Sequence, residues 1–538
     1  MLVMAKYTEE ELNKCSKKML ISLFLSMQDQ LEALNKNMEL LIEQVAMSNQ
    51  RRFGRSSEQQ ISGQLTLSDY FNEIEAIMEN KYIIEPEFED VIEEKKIRKK
   101  TKGKRDEDLK NLDKVVIPLE IPEEKLNELF PNGYKRLPDE VYKRLKFIPE
   151  TFEVQEYHVG VYADKDDSKI VKAERPKDLL RNSIVTPSLE AAIMNAKYVN
   201  AIPINRMAEE FKRNDVNISR QVMANWTIQC SEKYLSILYD ELHKELFNSK
   251  VLQADETPVL VRKDGRPAGS KSYMWVYRTG KMYNADPIVI YEYQKTRKTD
   301  HPREFLKGYA GTVVTDGYQV YHSIADERED LIIAGCWSHA RRKFAEIVKT
   351  FGKSNKESDK TKNLIASMAL KQIDAMYKIE KGLIELTPEE RQTRRKLSIK
   401  PMVEAFFAWI NENKGSVPAQ SATGKAFTYC LNQEKYLKVF LENGEVPMDN
   451  NAAEQAIRGF CVGKKNWTMI DTTYGAQASA IIYSIAETAK ANNLKPYKYF
   501  EHLLTEIPKH MDDKSTDFIA DLLPWSDKLP NDIKKNIE

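Results

Sequence analysis

Between Lys250 and Phe344 the chain takes on one texture, six short apolar runs each closed by Gly, Pro or charged residues. The runs are Val251 to Asp255, Pro258 to Val261, Tyr273 to Tyr277, Ile288 to Tyr291, Thr312 to Thr315 and Leu331 to Ala334. Segments rich in β-branched and aromatic residues, bounded by turn formers, read as strands. A helix is predicted to start near Ser338 and to carry Arg341, Arg342 and Lys343. Strands followed by helices predict a mixed α/β sheet.

Phe344 to Glu445 reads as nearly all helix. Thr387-Pro388-Glu389-Glu390 has a capping hydroxyl, Pro at the first helical position and Glu three residues after the cap. Pro401 to Ile410 carries Met402, Phe406, Phe407 and Trp409, and a last apolar helix is predicted from about Gly475 to Ala491. Upstream, Ile204 to Ile228 predicts two short helices. Met207, Ala208 and Phe211 make the first apolar face, Asn214 to Asn217 interrupt it, and Ser219 caps a second helix through Val222, Met223 and Trp226. This is helix-turn-helix spacing, which any helical hairpin shares. Arg220 and Gln221, opening the second helix, suit groove or phosphate contact.

Near the N-terminus the apolar residues fall on a heptad. Leu20, Met27, Leu34 and Leu41 occupy one seam position and Phe24, Leu31, Met38 and Val45 the other, with no Pro or Gly between. A period of 3.5 over four heptads predicts a helix that buries its stripe against another helix, and the narrow stripe favours a second copy of the chain over an internal partner. Farther on, Lys95 to Arg105 is nearly all cationic. It reads as a solvated linker that can also touch DNA, where counterion release rewards a cationic arm.

Lys plus Arg and Asp plus Glu number 82 each, so a nucleic-acid footprint has to be local rather than global. Five scattered cysteines without a Cys-x-x-Cys pair suit a reducing cytosol and exclude a disulfide scaffold. Glu9, Glu10 and Glu11 stand where a signal peptide needs a basic start, and Met19 to Met27 is too short to span a bilayer. A cytoplasmic protein without membrane contact is expected.

Three acidic positions stand out. Asp255 and Asp316 each end an apolar run, and Glu454 opens a helix. The gap from Asp316 to Glu454 is more than twice that from Asp255 to Asp316, so the helical stretch intervenes between second and third acid. Singly, each has an ordinary explanation: a turn-forming Asp, an Asp-Gly hairpin signal, an acid on a helix dipole. Together they could form a hard oxygen cage for divalent metal. Glu256 and Asp449 are close decoys, and strand alternation predicts that Glu256 points away from the side Asp255 faces. Arg458 lies one helical turn after Glu454, free to pair with it or to meet a phosphate. Lys464, Lys465 and Trp467 form a cation-and-aromatic group, and Tyr318 and Tyr321 either stack on sugars or pack internally. Cys336 and His339 make half a zinc ligand set.

Six segments carry a resemblance in their order: Arg52-Phe53-Gly54-Arg55-Ser56-Ser57-Glu58, Asn205 through Trp226, Asp255-Glu256-Thr257-Pro258, Thr315-Asp316-Gly317-Tyr318, Cys336 through Phe344, and Asn450 through Trp467. In sequence and placement, from about Gln50 to about Pro496, the chain resembles the insertion sequence 66 family of DDE transposases. The resemblance implies a multidomain α/β plus α protein, its ribonuclease-H-like catalytic core carrying a helical insertion and preceded by a coiled coil and a helix-turn-helix-like domain. It implies catalytic, metal-binding roles for Asp255, Asp316 and Glu454, which would hold Mg2+, with Mn2+ able to substitute, as two ions. Arg220, Gln221, Arg341, Arg342, Arg458, Lys464 and Lys465 become candidate contacts to double-stranded DNA, both terminal inverted repeats and target. A homo-oligomer and small accessory proteins of the same element are the further partners implied. One departure is plain: where the family carries paired zinc-binding cysteines, this chain has Phe130-Pro131-Asn132-Gly133-Tyr134, and His158 alone supplies no site, so no zinc is expected.

The resulting division is a coiled-coil region at 1–80, a charged linker at 81–110, a degenerate zinc-finger-like segment at 111–175 and a helix-turn-helix-like region at 176–248. The core's first part follows at 249–346, the insertion at 347–445, the last core helices at 446–495 and a tail at 496–538. The expected activity is metal-dependent DNA cleavage and strand transfer. The alternatives are a non-catalytic DNA-binding regulator derived from such an enzyme and a nuclease on the same fold.

Overall fold

The structure is a computed structural model that describes residues 16–22, 24–31, 34, 38, 151–163, 170–172, 176–267, 269–280, 286–350 and 364–535. The cationic run at 95–105 and the departure at 130–134 lie outside these residues, as do Leu41 and Val45 of the heptad. Residues 17–22 and 24–31 are helical, and Leu20, Phe24, Met27, Leu31, Leu34 and Met38 are all exposed. In the segment before the helices, β1 (Val161–Ala163) pairs antiparallel with β2 (Ile170–Lys172). The preceding residues are irregular, and Phe152 turns aside to meet Phe211 edge-on, with ring centroids 4.9 Å apart.

Four helices follow: α1 (Pro187–Met194), α2 (Ile204–Arg213), α3 (Arg220–Cys230) and α4 (Ser236–Leu246). The turn between α2 and α3 places Asp215 in the left-handed region at φ 62°. Ser219 then caps α3, its side chain accepting from Val222 N at 3.3 Å. Met207, Phe211, Met223 and Trp226 are buried beneath the pair, while Arg220 and Gln221 stay exposed.

The main sheet is built from β3 (Val251–Lys263), β4 (Lys271–Thr279), β5 (Val289–Gln294), α5 (Asp300–Phe305), β6 (Gly311–Thr315), α6 (Gln319–Asp326) and β7 (Leu331–Gly335). Its strand order is β5-β4-β3-β6-β7, antiparallel up to β3 and parallel beyond it. The two runs predicted at 251–255 and 258–261 are one strand that continues through Pro258. β6 flanks β3 only from Val251 to Gln253, and the short β8 (Ile470–Thr472), which sequence did not reveal, pairs only from Val261 onward. Between them one side of β3 has no strand neighbour among the described residues. Pro258, which has no N–H to donate, falls in that gap.

Helices α7 (Trp337–Thr350), α8 (Ile365–Lys381), α9 (Pro388–Arg394), α10 (Lys400–Asn413) and α11 (Ala422–Leu437) form the intervening helical body. They share a second core around Trp337, Phe344, Phe406 and Phe427. The predicted capping box opens α9: Thr387 Oγ1 accepts from Glu390 N at 3.3 Å, and Glu390 Oε2 accepts from Thr387 N at 3.2 Å. The chain then returns to the sheet as α12 (Asn451–Trp467) and α13 (Thr473–Ala491). α13 lies along the edge strand β5, where Ser484 Oγ accepts from Tyr291 N at 2.7 Å and Thr488 Oγ1 from Val289 N at 3.0 Å. The outer sheet edge is thereby closed to foreign strands. The stretch read as a tail is folded: α14 (Pro496–Glu506) and α15 (Ile519–Leu522) bury Tyr499, Phe500, Leu503 and Leu522 in the first core. Among the described residues no helix is long and apolar enough to cross a membrane.

Candidate functional site

β3 is covered on both faces, so alternation does not bring Glu256 to solvent: Asp255 and Glu256 are both buried. Asp255 Oδ1 accepts from Glu256 N at 2.8 Å, and its Oδ2 has no hydrogen-bond partner among the described residues. Burial pushes the Asp255 carboxyl well above the usual carboxylate range, and the negative charges of Glu256, Asp316 and Glu454 push the same way. Asp255 thus lies within electrostatic reach of both other candidate acids.

Asp316 follows the adjacent parallel strand β6. Its Oδ1 accepts from Tyr318 N at 2.9 Å, and its carbonyl from Tyr429 Oη at 2.8 Å. Gly317 makes this turn at φ 92°, a region closed to most side chains, and a Cβ there would also come within 2.9 Å of Gln433.

Glu454 lies in the first turn of α12, which runs beside the unpaired stretch of β3. Gln253 grips the start of this helix at two points, donating from Nε2 to Asp449 O at 3.1 Å and accepting at Oε1 from Ala453 N at 3.2 Å. Asn450 Nδ2 donates to Ala254 O at 2.9 Å, one residue from Asp255. The third acid is therefore tied by backbone-length contacts to the strand bearing the first. Asp449 turns its carboxylate to Asn451, at 3.1 Å from N and 2.9 Å from Nδ2, as a helix-start acid does.

The carboxylate of Glu454 is held from α7. Arg342 Nη2 donates to Oε1 and Oε2 at 3.0 Å each, and Arg342 Nη1 lies 3.3 Å from His339 Nε2. A guanidinium can only donate, so His339 Nε2 accepts and the imidazole carries its proton on Nδ1, 3.6 Å from Glu454 Oε1. Burial raises the Glu454 carboxyl, and the guanidinium groups of Arg342 and Arg458 pull it back. Cys336 Sγ accepts from Asn450 N at 3.2 Å. Cys336, His339 and Glu454 each place one ligand atom within 4.8 Å of the others, all three buried, a grouping that could hold a divalent ion. As the side chains stand, the hydrogen bonds to the Glu454 carboxylate come from Arg342, and His339 Nδ1 has no hydrogen-bond partner among the described residues.

Three candidate DNA contacts are corrected. Arg342 is buried and engaged with Glu454, Arg341 donates from Nε to Asp374 Oδ1 at 2.6 Å, and Lys464 is buried with Nζ on Pro258 O at 2.7 Å. Lys464 thus places its ammonium beside Pro258, inside the fold. Arg458 and Lys465 are half-buried, and Arg458 Nε has no hydrogen-bond partner among the described residues. Tyr321 is fully buried, edge-on to Trp275 at 6.2 Å.

Sequence reasoning missed Arg297, on the loop between β5 and α5. Its Nε donates to Glu256 Oε1 at 2.8 Å, and its guanidinium lies over the Tyr318 ring, 3.7 Å from the centroid. Nothing in local sequence marks this pairing of residues 41 apart. The anchors Gln253 and Asn450 were equally silent, although Gln253 is an amide in an otherwise apolar run.

Comparison with known proteins gives concordant matches along the chain. Residues 182–478 match the family described as transposase IS66 family, 484–525 the IS66 C-terminal element, and 40–117 transposase C of IS166 homeodomain. Similar curated proteins of Sinorhizobium fredii include y4hP, 26% identical over 398 residues, and y4qI, 27% identical over 395. Each alignment covers 72% of this chain and 71% of the relative.

Proposed function

The chain belongs to the IS66 transposase family, and from that premise we propose that it binds the ends of its mobile element and catalyses metal-dependent DNA cleavage and strand transfer. One observation carries the reading: Asp255 has an unpartnered Oδ2 and is destabilised as an anion by burial and by the charges of Glu256, Asp316 and Glu454, an arrangement that bound cations would relieve. The sheet order, with antiparallel strands on one side of β3 and parallel strands on the other, supports a ribonuclease-H-like core interrupted by the body of α8 to α11.

Asp255, Asp316 and Glu454 would hold two Mg2+ ions, or Mn2+ in their place. Bound there, the metal supplies activation of the attacking oxygen and stabilisation of the leaving one. The chain's own residues do the positioning. Gln253 and Asn450 fix the third acid against the first, the Gly317 turn aims the second, and Arg342 with His339 orients the Glu454 carboxylate. End recognition falls to the exposed Arg220 and Gln221 at the start of α3, with Arg458 and Lys465 near the acids contacting backbone phosphate. The exposed apolar seam of the N-terminal helix supports assembly with a second copy of the chain as a coiled coil. Small accessory proteins of the same element are the further partners, and the setting is cytoplasmic.

Labelled duplexes carrying the inverted repeats that flank the gene, incubated with Mg2+ and a target plasmid, test the reading. Joined products are expected. Cleavage without joining would make the protein a nuclease, and binding without either would make it a regulator.

A further inference from the structure

Arg297 is placed and exposed unlike the other arginine tied to the acid group. Arg342, whose side chain is 7% exposed, is enclosed with Glu454, whereas the Arg297 side chain remains 39% exposed. One edge of its fork, Nε and Nη2, is taken by the buried Glu256 carboxylate. Nη1 makes no hydrogen bond among the described residues. The guanidinium plane rests on Tyr318, and Tyr318 Oη donates back to the Arg297 carbonyl at 2.9 Å. Tyr318 in turn donates its backbone N–H to Asp316 Oδ1. A continuous set of contacts thus runs from the residue beside Asp255, through Arg297, to Asp316. It fixes a planar cation whose remaining edge makes no hydrogen bond among the described residues, on a side chain still 39% exposed.

Had neutralising Glu256 been the only requirement, an enclosed pair such as Arg342 with Glu454 would meet it. An arginine held on one edge and on its face, with the other edge open, has the form used to grip a phosphate oxygen. We propose that Arg297 is a phosphodiester-binding residue of this site, taking a non-bridging oxygen of the DNA backbone on its open edge, with Glu256 and Tyr318 as its positioning residues. The proposal rests on the DNA-processing reading above and adds the group that neutralises the bound phosphate beside the acids.

The test is a binding experiment that needs no turnover. Duplexes carrying the flanking inverted repeats are made with single neutral methylphosphonates at successive positions around the cut site. Their affinity is measured by fluorescence anisotropy in Ca2+, for the parent and for the E256Q/R297Q double variant. Removing both partners avoids leaving a buried carboxylate unpaired. The parent should lose about tenfold in affinity at one phosphate, and the double variant should lose nothing further there while responding normally elsewhere. Equal losses in both proteins at every position, or no position-specific loss in the parent, would overturn the proposal. Should the double variant fail to melt cooperatively, Arg297→Lys serves in its place: a point charge cannot hold Glu256 and a phosphate together, so its loss at that phosphate should be smaller than the parent's. Failure of the cleavage reading shows separately, as an absence of joined products in Mg2+ with this binding pattern intact.

Discussion

A single nitrogen of Arg342, Nη2, donates to both carboxylate oxygens of Glu454 at 3.0 Å, and neither side chain is more than a tenth exposed. Breaking such a pair from one side strands a buried charge, whereas removing both partners does not. Arg342→Met should cost ~3 kcal/mol of unfolding free energy, and R342M/E454Q markedly less. Urea titration of the parent, both single variants and the double variant measures this. Equal losses in R342M and the double variant would show that Glu454 does not depend on the arginine.

If the proposed site is right, Asp255→Asn, Asp316→Asn and Glu454→Gln should each reduce joining by on the order of a thousandfold or more while end binding changes little, because each would remove a proposed metal ligand and not a DNA contact. Glu256→Gln and Asp449→Asn should be milder. Near-normal joining by any of the first three would strike that residue from the acid set.

Glu190 is fully buried between α1 and α3, accepting at Oε1 from Thr227 Oγ1 at 2.8 Å, and burial pushes its carboxyl up to about 8. A folded-state value above the unfolded one means the native protein holds the proton more tightly, so this contribution favours folding in acid. It is complete below about pH 4.5 and is lost as pH rises through about 8. Glu190→Gln should therefore stabilise the protein near pH 8, by up to ~3 kcal/mol, and leave it little changed near pH 4.5. Denaturant melts at the two pH values decide it, and an equal shift at both would remove Glu190 as the cause.

Leu31 and Leu34 are exposed on the N-terminal helix, at successive seam positions of its heptad. Replacing both with Lys should release smaller species in light scattering, since charges in a coiled-coil seam oppose association. An unchanged mass would make the stripe something other than the oligomer contact.

A salt titration on element ends and on random duplex separates two kinds of DNA contact. Deleting residues 95–105 should flatten the salt dependence on both DNAs and leave their affinity ratio nearly unchanged. Substituting Arg220 and Gln221 with Ala should lower that ratio instead. If the ratio holds, recognition of the ends resides outside α3.

Local chemistry made much of this architecture readable. The capping box at Thr387, the Ser219 cap and the apolar runs all form where nearest-neighbour physics puts them. Pro258 misled by dividing β3, because the gap on one side of that strand is a property of the whole sheet. Alternation says on which side of β3 Glu256 stands but not that it is enclosed there, because β3 is buried on both faces. The basic residues were least readable: Arg341, Arg342 and Lys464 look alike in sequence to surface cations, and only the partners Asp374, Glu454 and Pro258 O, each distant in sequence, show that they are spent inside the fold.

The grip of Gln253 on Asp449 and Ala453 joins residues 196 and 200 positions apart, and the closure of β5 by Ser484 and Thr488 spans 193 and 199. During synthesis the sheet therefore waits for its covering. At about 5–20 residues per second, β3 stands without α12 for roughly 10 to 40 s. Through that interval the first acid exists and the third has not been made. A chain stopped short of α12 thus carries no complete acid set, and whatever the finished site does is withheld until Glu454 has emerged from the ribosome.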